Sequence, residues 1–309
     1  MVLGVRKMAH QNQQPLKLYA GIEAGGTKFN CVVASSPTNI IARATFPTTT
    51  PGETLTACSD FFIDQSKANG VLTSLGVACF GPVDLQKDSP TYGYITATPK
   101  KYWSNCDVVG HYEDSLGIPV AFDTDVNGAA LGEYLYGAAR GLDDFVYVTV
   151  GTGIGAGVFA NGVPVNGMVH TEIGHMLVSR EREKTTFESI CPFHENCLTS
   201  LAAGPAIEAR WKKPAHELPE DHEAWDLEAY YLAILCHNLT LSFSPTRIIL
   251  GGGVMSQSHL FPKIRQQFEE LMNGFMVPSM PLEKYIVAPW LPGSSGEVGA
   301  LALAERLVS

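Results

Sequence analysis

Hydrophobic positions along the chain follow two rhythms. Short apolar runs predict strands at Leu16–Ala20, Phe29–Ala34, Val71–Phe80, Ile118–Phe122, Phe145–Val150, Ala156–Ala160 and Arg247–Leu250. Longer stretches predict helices at Pro51–Asn69, Val126–Ala139, Ala224–Phe243, His259–Gly274 and Gly296–Leu307. Pro51 opens the first helix and Gly70 closes it; Gly141 follows the second. Gly174–Cys197 has little periodicity and reads as irregular. Residues 1–16 are polar, with Gln11 to Gln14 before Pro15, and are expected to be a disordered extension.

One arrangement occurs twice. A strand, a glycine turn at Gly21–Thr27 and a second strand stand near the start. Phe145–Ala160 repeats that order around a turn at Gly151–Gly155, and α/β material follows each copy. The spacing is far beyond the period of repeat arrays. Two related, layered α/β halves are predicted, with a composite site in the cleft between them.

Composition sets limits on this picture. The chain has 309 residues, enough for two domains. Hydrophobic residues make up 45% and charged residues 17%, which excludes general disorder. A formal charge of −10 disfavours bulk attraction to nucleic acids or anionic membranes, so neither is expected as a partner. Seven cysteines are too few, and odd in number, for a paired secreted framework. Val2–Val5 is interrupted by Gly4 and stops at Arg6 and Lys7, too short for a signal-peptide core. Phe145–Val163 is uncharged over nearly a membrane span, but five glycines among β-branched residues predict strand, turn and strand there. A cytoplasmic protein is expected.

Five motifs could carry chemistry. In Gly21-Ile-Glu-Ala-Gly-Gly-Thr-Lys28, backbone amides at Gly25 and Gly26 could approach phosphate oxygens without a Cβ in the way. Thr27 adds a hydroxyl, Lys28 a charge, and Glu23 could orient a hydrated Mg²⁺. The order is not that of a Walker A loop, and an ordinary hairpin turn is the alternative. The turn with Thr152 and Gly153 contains Gly-x-Gly-x-Gly, but a strand rather than a helix follows it. That opposes an NAD(P) site and favours a second phosphate hairpin or a plain one. Asp123-Thr-Asp-Val-Asn-Gly128 joins a strand end to a helix start. Asp125 could accept a substrate proton there, or either aspartate could cap the helix. His175, Cys191, His194 and Cys197 form a donor set suited to closed, structural Zn²⁺, against unrelated loop residues or a reactive thiol. Glu172, near His175, could accept bonds from vicinal hydroxyls or lie solvated. Gly251-Gly-Gly253 after an apolar strand permits close approach of a flat ligand, or is a simple turn; Ala203-Gly-Pro205 could add a wall.

Together, in this order, these motifs resemble the ROK family of sugar kinases in the actin-like ATPase superfamily, nearest its bacterial fructokinases. The similarity runs from about Leu16 to Leu307. It implies a two-domain, ribonuclease H-like fold with the active site in the interdomain cleft. Residues 17–128 would form the N-terminal domain, onto which a closing helix at 296–309 packs back. Residues 129–295 would form a larger domain with the zinc loop. The resemblance implies ATP phosphates on Gly25, Gly26, Thr27, Thr152 and Gly153, and adenosine against Pro205, Gly251, Gly252, Gly253 and Val254. Asp125 would be the base, Asn127 would shape the sugar site, and Glu172 and His175 would flank the sugar. Zinc would lie on His175, Cys191, His194 and Cys197, leaving the other five cysteines as reduced thiols.

Three departures from the wider family matter. Glu23 stands where many members have Asp, as is usual in fructokinase-like members. Asp-Thr-Asp replaces the Glu-Asn-Asp frequent in glucokinase-like members, which argues against glucose. His194 replaces a cysteine yet remains a competent zinc ligand. The implied reaction is Mg²⁺-assisted transfer from ATP to D-fructose at its 6-hydroxyl, giving ADP, by a homodimer. Mannose, glucose or an N-acetylhexosamine are alternative acceptors. A sugar-sensing regulator is a further alternative, but the residues before Gly21 are expected to be too few for a helix-turn-helix module.

Overall fold

The structure is a computed structural model that describes residues 17–276, 278–291 and 293–309. The extension expected over residues 1–16 lies outside the described residues. The first half runs β1 (Lys17–Ala24), β2 (Lys28–Ser36), β3 (Asn39–Pro47), α1 (Pro51–Asn69) and β4 (Val71–Cys79). A small hairpin of β5 (Tyr94–Ile95) and β6 (Cys106–Asp107) follows, then α2 (Val108–Leu116), β7 (Val120–Thr124) and α3 (Asp125–Tyr136). The second half begins with β8 (Phe145–Val150), β9 (Ile154–Ala160) and β10 (Val163–Pro164). After a long irregular segment come α4 (Leu198–Ala202), α5 (Gly204–Trp211), α6 (Ala224–Phe243), β11 (Arg247–Gly251) and α7 (Leu260–Met272). The chain closes with α8 (Leu282–Tyr285), β12 (Ile286–Val287) and α9 (Ser295–Leu307).

Two five-stranded sheets share one topology. Their orders are β3-β2-β1-β4-β7 and β10-β9-β8-β11-β12. In each, the first three strands pair antiparallel and the last two join in parallel. The repeated strand–turn–strand pattern is therefore a repeated sheet, in a mixed α/β fold. Parallel crossovers need long connections, and helices supply them. Phe29, Phe62, Trp103 and Tyr112 fill one core. Trp225, Tyr231, Phe268 and Ile248 fill the other.

Helices α3 and α9 form the layer that joins the sheets. α9 packs on β1, β2 and β4, and α3 packs on both α9 and β9. Ala129, Ala130 and Leu131 of α3 share a buried cluster with Phe145, Tyr147, Phe159 and Ala302. α9 approaches its neighbours backbone to backbone. A Cβ at Gly299 would overlap the Gly128 carbonyl of α3, and one at Gly76 of β4 would overlap the Ala300 carbonyl. Glu133 of α3 adds a polar anchor. Its buried carboxylate accepts the amides of Ala138 at 2.6 Å, Trp290 at 3.1 Å and Leu291 at 3.0 Å, and the Ser295 hydroxyl at 2.7 Å. The bond to Ala138 also ends α3 at Tyr136, short of the expected Ala139.

Other boundaries moved for local reasons. The first turn is shorter than Gly21–Thr27, because β1 stays paired on both sides as far as Ala24. Ile154 likewise already pairs with Val150, so β9 starts before Ala156. β3 left no signal in the apolar pattern, since its residues alternate between exposed and half-buried at a sheet edge. α2 is short and holds an internal glycine; the Asp107 carboxylate caps it at the Gly110 amide, 2.8 Å away. Among the described residues, no helix is long and apolar enough to cross a membrane.

The α3–α9 crossing gives a direct test. Gly299→Ala should cost about 1–3 kcal/mol by overpacking. Denaturant unfolding measures it, and an unchanged midpoint would show that the helices have room to separate.

Candidate active site

The acidic part of the site is built where β7 hands over to α3. Thr124 is the helix N-cap: its hydroxyl accepts the Asn127 amide at 3.0 Å. Capping thus falls to the residue between the two aspartates, and neither aspartate is the N-cap. The Asp123 carboxylate accepts its neighbour's amide at 2.8 Å and the Asn127 side-chain amide at 2.7 Å. Burial raises its pKa, while bonds from Asn127 and the Thr124 amide, and the nearby His170, pull it down. Asn127 is buried and serves Asp123 directly.

Asp125 is the first residue of α3 and accepts the Val126 amide at 2.9 Å. Its surface is partly open, yet the protein around its carboxyl pushes the pKa to about 7. Desolvation is the main cause, opposed by the Val126 amide and reinforced by the like charges of Glu23 and Glu172. A carboxylate of this kind can hold or release a proton near neutral pH. Glu23, next to last in β1, accepts the Asn30 side-chain amide at 3.0 Å. Burial raises its pKa, with the Asn30 bond opposing and Glu297 of α9 adding to the rise. Glu172 is half open and precedes a single helical turn at Ile173–His175. The structure therefore brings Glu23, Asp125 and Glu172 within electrostatic reach of one another.

Two glycine turns stand at the ends of their hairpins. Gly25 donates to the Lys28 carbonyl at 2.9 Å, and Thr48 donates to the Gly25 carbonyl at 2.7 Å, which holds the turn shut. Gly26 has open space around it, and Thr27 and Lys28 are exposed. In the second half, Thr152 and Gly153 are exposed at the β8–β9 turn. Gly204, at the start of α5, donates to the Gly151 carbonyl at 2.8 Å. Val254 stands beside Gly204, and Gly252 lies against the backbone of Val150. The β8–β9 turn, the α5 start carrying exposed Pro205, and Gly251–Val254 thus form one group. As expected, a strand follows Gly155, so the Gly-x-Gly-x-Gly turn lacks the helix of a dinucleotide fingerprint.

The donor atoms of His175, Cys191, His194 and Cys197 all lie within 4.8 Å of one another. The two imidazole Nδ1 atoms are 3.3 Å apart, and Cys191 Sγ is 3.8 and 3.9 Å from them. Tetrahedral zinc bonds to nitrogen and sulfur set neighbouring donors about 3.3–3.8 Å apart. The donor set fits such an ion. Cys197 is buried at the head of α4, whereas His194 is exposed. The intervening chain is anchored separately, by a buried ion pair of Glu183 with Arg210 at 3.0 Å.

Three supporting residues stand outside the sequence motifs as functional groups. Glu133 and Asn30 act by supporting backbone and carboxylate, and His170 bonds across the halves. A lone glutamate in the small-residue run of α3 was a visible sign for the first.

The sequence model of the ROK family matches residues 19–307. The chain belongs to the ROK family. Among its relatives, fructokinase from Pediococcus pentosaceus is 43% identical over 289 residues, 93% of this chain and 98% of that protein. Fructokinase from Zymomonas mobilis is 43% identical over 291 residues, 93% and 96% of the two chains. The crystal structure of the ROK hexokinase from Thermus thermophilus superposes with a TM-score of 0.76 at 25% identity, covering 94% of this chain and 99% of that one. This ROK chain therefore matches full-length sugar kinases, through both halves.

The raised Asp125 pKa has a consequence for stability. An unfolded aspartate ionises near pH 4 and the folded one near 7. The folded state thus loses stability, relative to an uncharged side chain, as pH rises through that window. Asp125→Asn should raise the melting temperature, with the gain opening between about pH 4 and 7 and level above. A gain that does not vary with pH would contradict the raised pKa.

Proposed function

We propose that the protein is an ATP-dependent hexose kinase whose acceptor is D-fructose, phosphorylated at the 6-hydroxyl. The carrying observation is the near-complete alignment at 43% identity with proteins named fructokinase. The carboxylate with a pKa near 7 at the head of α3 supplies the chemistry that such a reaction needs. Asp125 is the base in this reading. The sugar oxygen attacks the γ-phosphorus, its proton passes to Asp125, and the bond to the ADP oxygen breaks. Glu172 and His175 hold sugar hydroxyls, and Asn127 supports the site through Asp123.

Nucleotide binding falls to the glycine-rich segments. Gly25, Gly26 and Thr27, with Thr152 and Gly153, take the phosphates, and Pro205 with Gly251–Val254 takes the adenosine. Lys28, exposed beside the first turn, can add charge. Backbone amides bind phosphate without net positive charge, which reconciles nucleotide binding with a formal charge of −10. Mg²⁺, oriented through water by Glu23, would neutralise phosphate charge. Zn²⁺ on His175, Cys191, His194 and Cys197 would be structural, since four protein ligands leave no open position. A homodimer, which the family resemblance implies, completes the reading.

Four experiments test it. Turnover with ATP should be fastest on fructose in a panel with mannose, glucose and N-acetylhexosamines; an equal or better rate on another hexose would reassign the acceptor. For that reaction kcat/KM should fall tenfold per unit below pH about 7, because protonated Asp125 cannot accept a proton. Asp125→Asn should lose about a hundredfold to ten-thousandfold in rate while folded, and activity near wild type would remove it as the base. Separately, elemental analysis should find one zinc per chain, lost in Cys197→Ser. A stable, zinc-free wild-type protein would dismiss the metal.

A further inference from the structure

His170 is a buried imidazole, 7% exposed, that the proposed phosphoryl transfer does not use. Its Nε2 accepts the Val83 amide at 3.1 Å. A backbone amide can only donate, so Nε2 is bare and the ring proton sits on Nδ1. That proton faces the Thr171 carbonyl at 3.4 Å and the Glu172 Oε1 at 3.5 Å. One edge of the ring thus meets the segment after β4, and the other meets a sugar-binding candidate. Gly81 lets the ring sit this close, since a Cβ there would lie 3.3 Å from it. A second tie runs alongside, from the Gln86 side-chain amide to the Gly167 carbonyl at 2.8 Å. Between the two segments lies a cavity of about 520 Å³, lined in part by Val83, Thr96, Asn166 and His170.

Packing alone does not explain this ring. An apolar side chain could fill the volume but would leave the buried Val83 amide unpaired. Glu172, for its part, is 44% exposed and has little else to fix its orientation. We propose that His170 is a positioning residue for sugar recognition, bridging Val83 to Glu172 so that the Glu172 carboxylate is held ready for sugar hydroxyls. The proposal deepens the hexose kinase reading and rests on it. Orienting the carboxylate before binding removes that ordering cost from the binding step. The candidate nucleotide segments at 25–27, 152–153, 205 and 251–254 are not among the groups that His170 bonds. Its loss should therefore act on the sugar and spare ATP.

The test uses the full chain and the hexose that the wild type phosphorylates fastest. His170→Ala should raise the sugar KM about tenfold or more, with the ATP KM within about twofold and kcat within about threefold. His170→Gln, whose carbonyl can take over the Val83 amide, should recover part of the loss. If the alanine variant does not fold, His170→Asn, which keeps a polar group near Nδ1 but cannot reach Val83, carries the same comparison. A sugar KM unchanged from wild type, or sugar and ATP KM rising together, would overturn the positioning role while leaving the kinase reading intact. A wild type that turns over no hexose would remove both.

Discussion

The crossing of α3 and α9 is the constraint on which the rest of the molecule depends. At Gly128 and Gly299 the two helices touch through backbone atoms, with no side chain between them. Such an approach maximises dispersion contact and tolerates almost no change in volume. It also locks the last helix of the chain against the first sheet, where Gly76 meets Ala300. Because α3 lies on β9 with its other side, one helix pair joins both sheets. Glu133 then secures the loop before α9 with hydrogen bonds, so the join is polar as well as steric.

The position of Asp125 follows from that join. As the first residue of α3, it is carried wherever the helix pair is set. Glu23 reaches it from β1, and Glu172 from the segment after β10. Burial of the Asp125 carboxyl, with the like charges of Glu23 and Glu172 beside it, pushes its pKa up to about 7. In the proposed reading phosphate is held differently, by backbone at the hairpin turns. Acids and turn amides would then occupy separate structural devices, so the negative formal charge of the protein does not oppose the proposed nucleotide binding.

The irregular stretch from Gly174 to Cys197 shows how order arises without periodicity. Its ends are drawn together by the two histidines and two cysteines, and its middle by Arg210, whose guanidinium pairs with Glu183 and lies over the Phe187 ring. These contacts hold His175 and, through it, the short turn that begins after Glu172.

By itself the sequence determined the local elements and the chemistry on offer. Apolar runs broken by glycine marked both hairpins, and the Asp123–Gly128, Glu172–His175 and Cys191–Cys197 motifs marked the acids and the donor set. These signals are short-range, since periodicity, turns and motifs are written within a few consecutive residues. Tertiary structure decided what those residues do to one another. It gave the cap to Thr124, raised Asp125 through Glu23 and Glu172, and joined Val83 to His170 across 87 positions of chain. It also ended α3 early, at Tyr136, where Glu133 takes the Ala138 amide, and hid β3 at a sheet edge. Such outcomes depend on burial and on partners distant in the chain, and no local pattern encodes either.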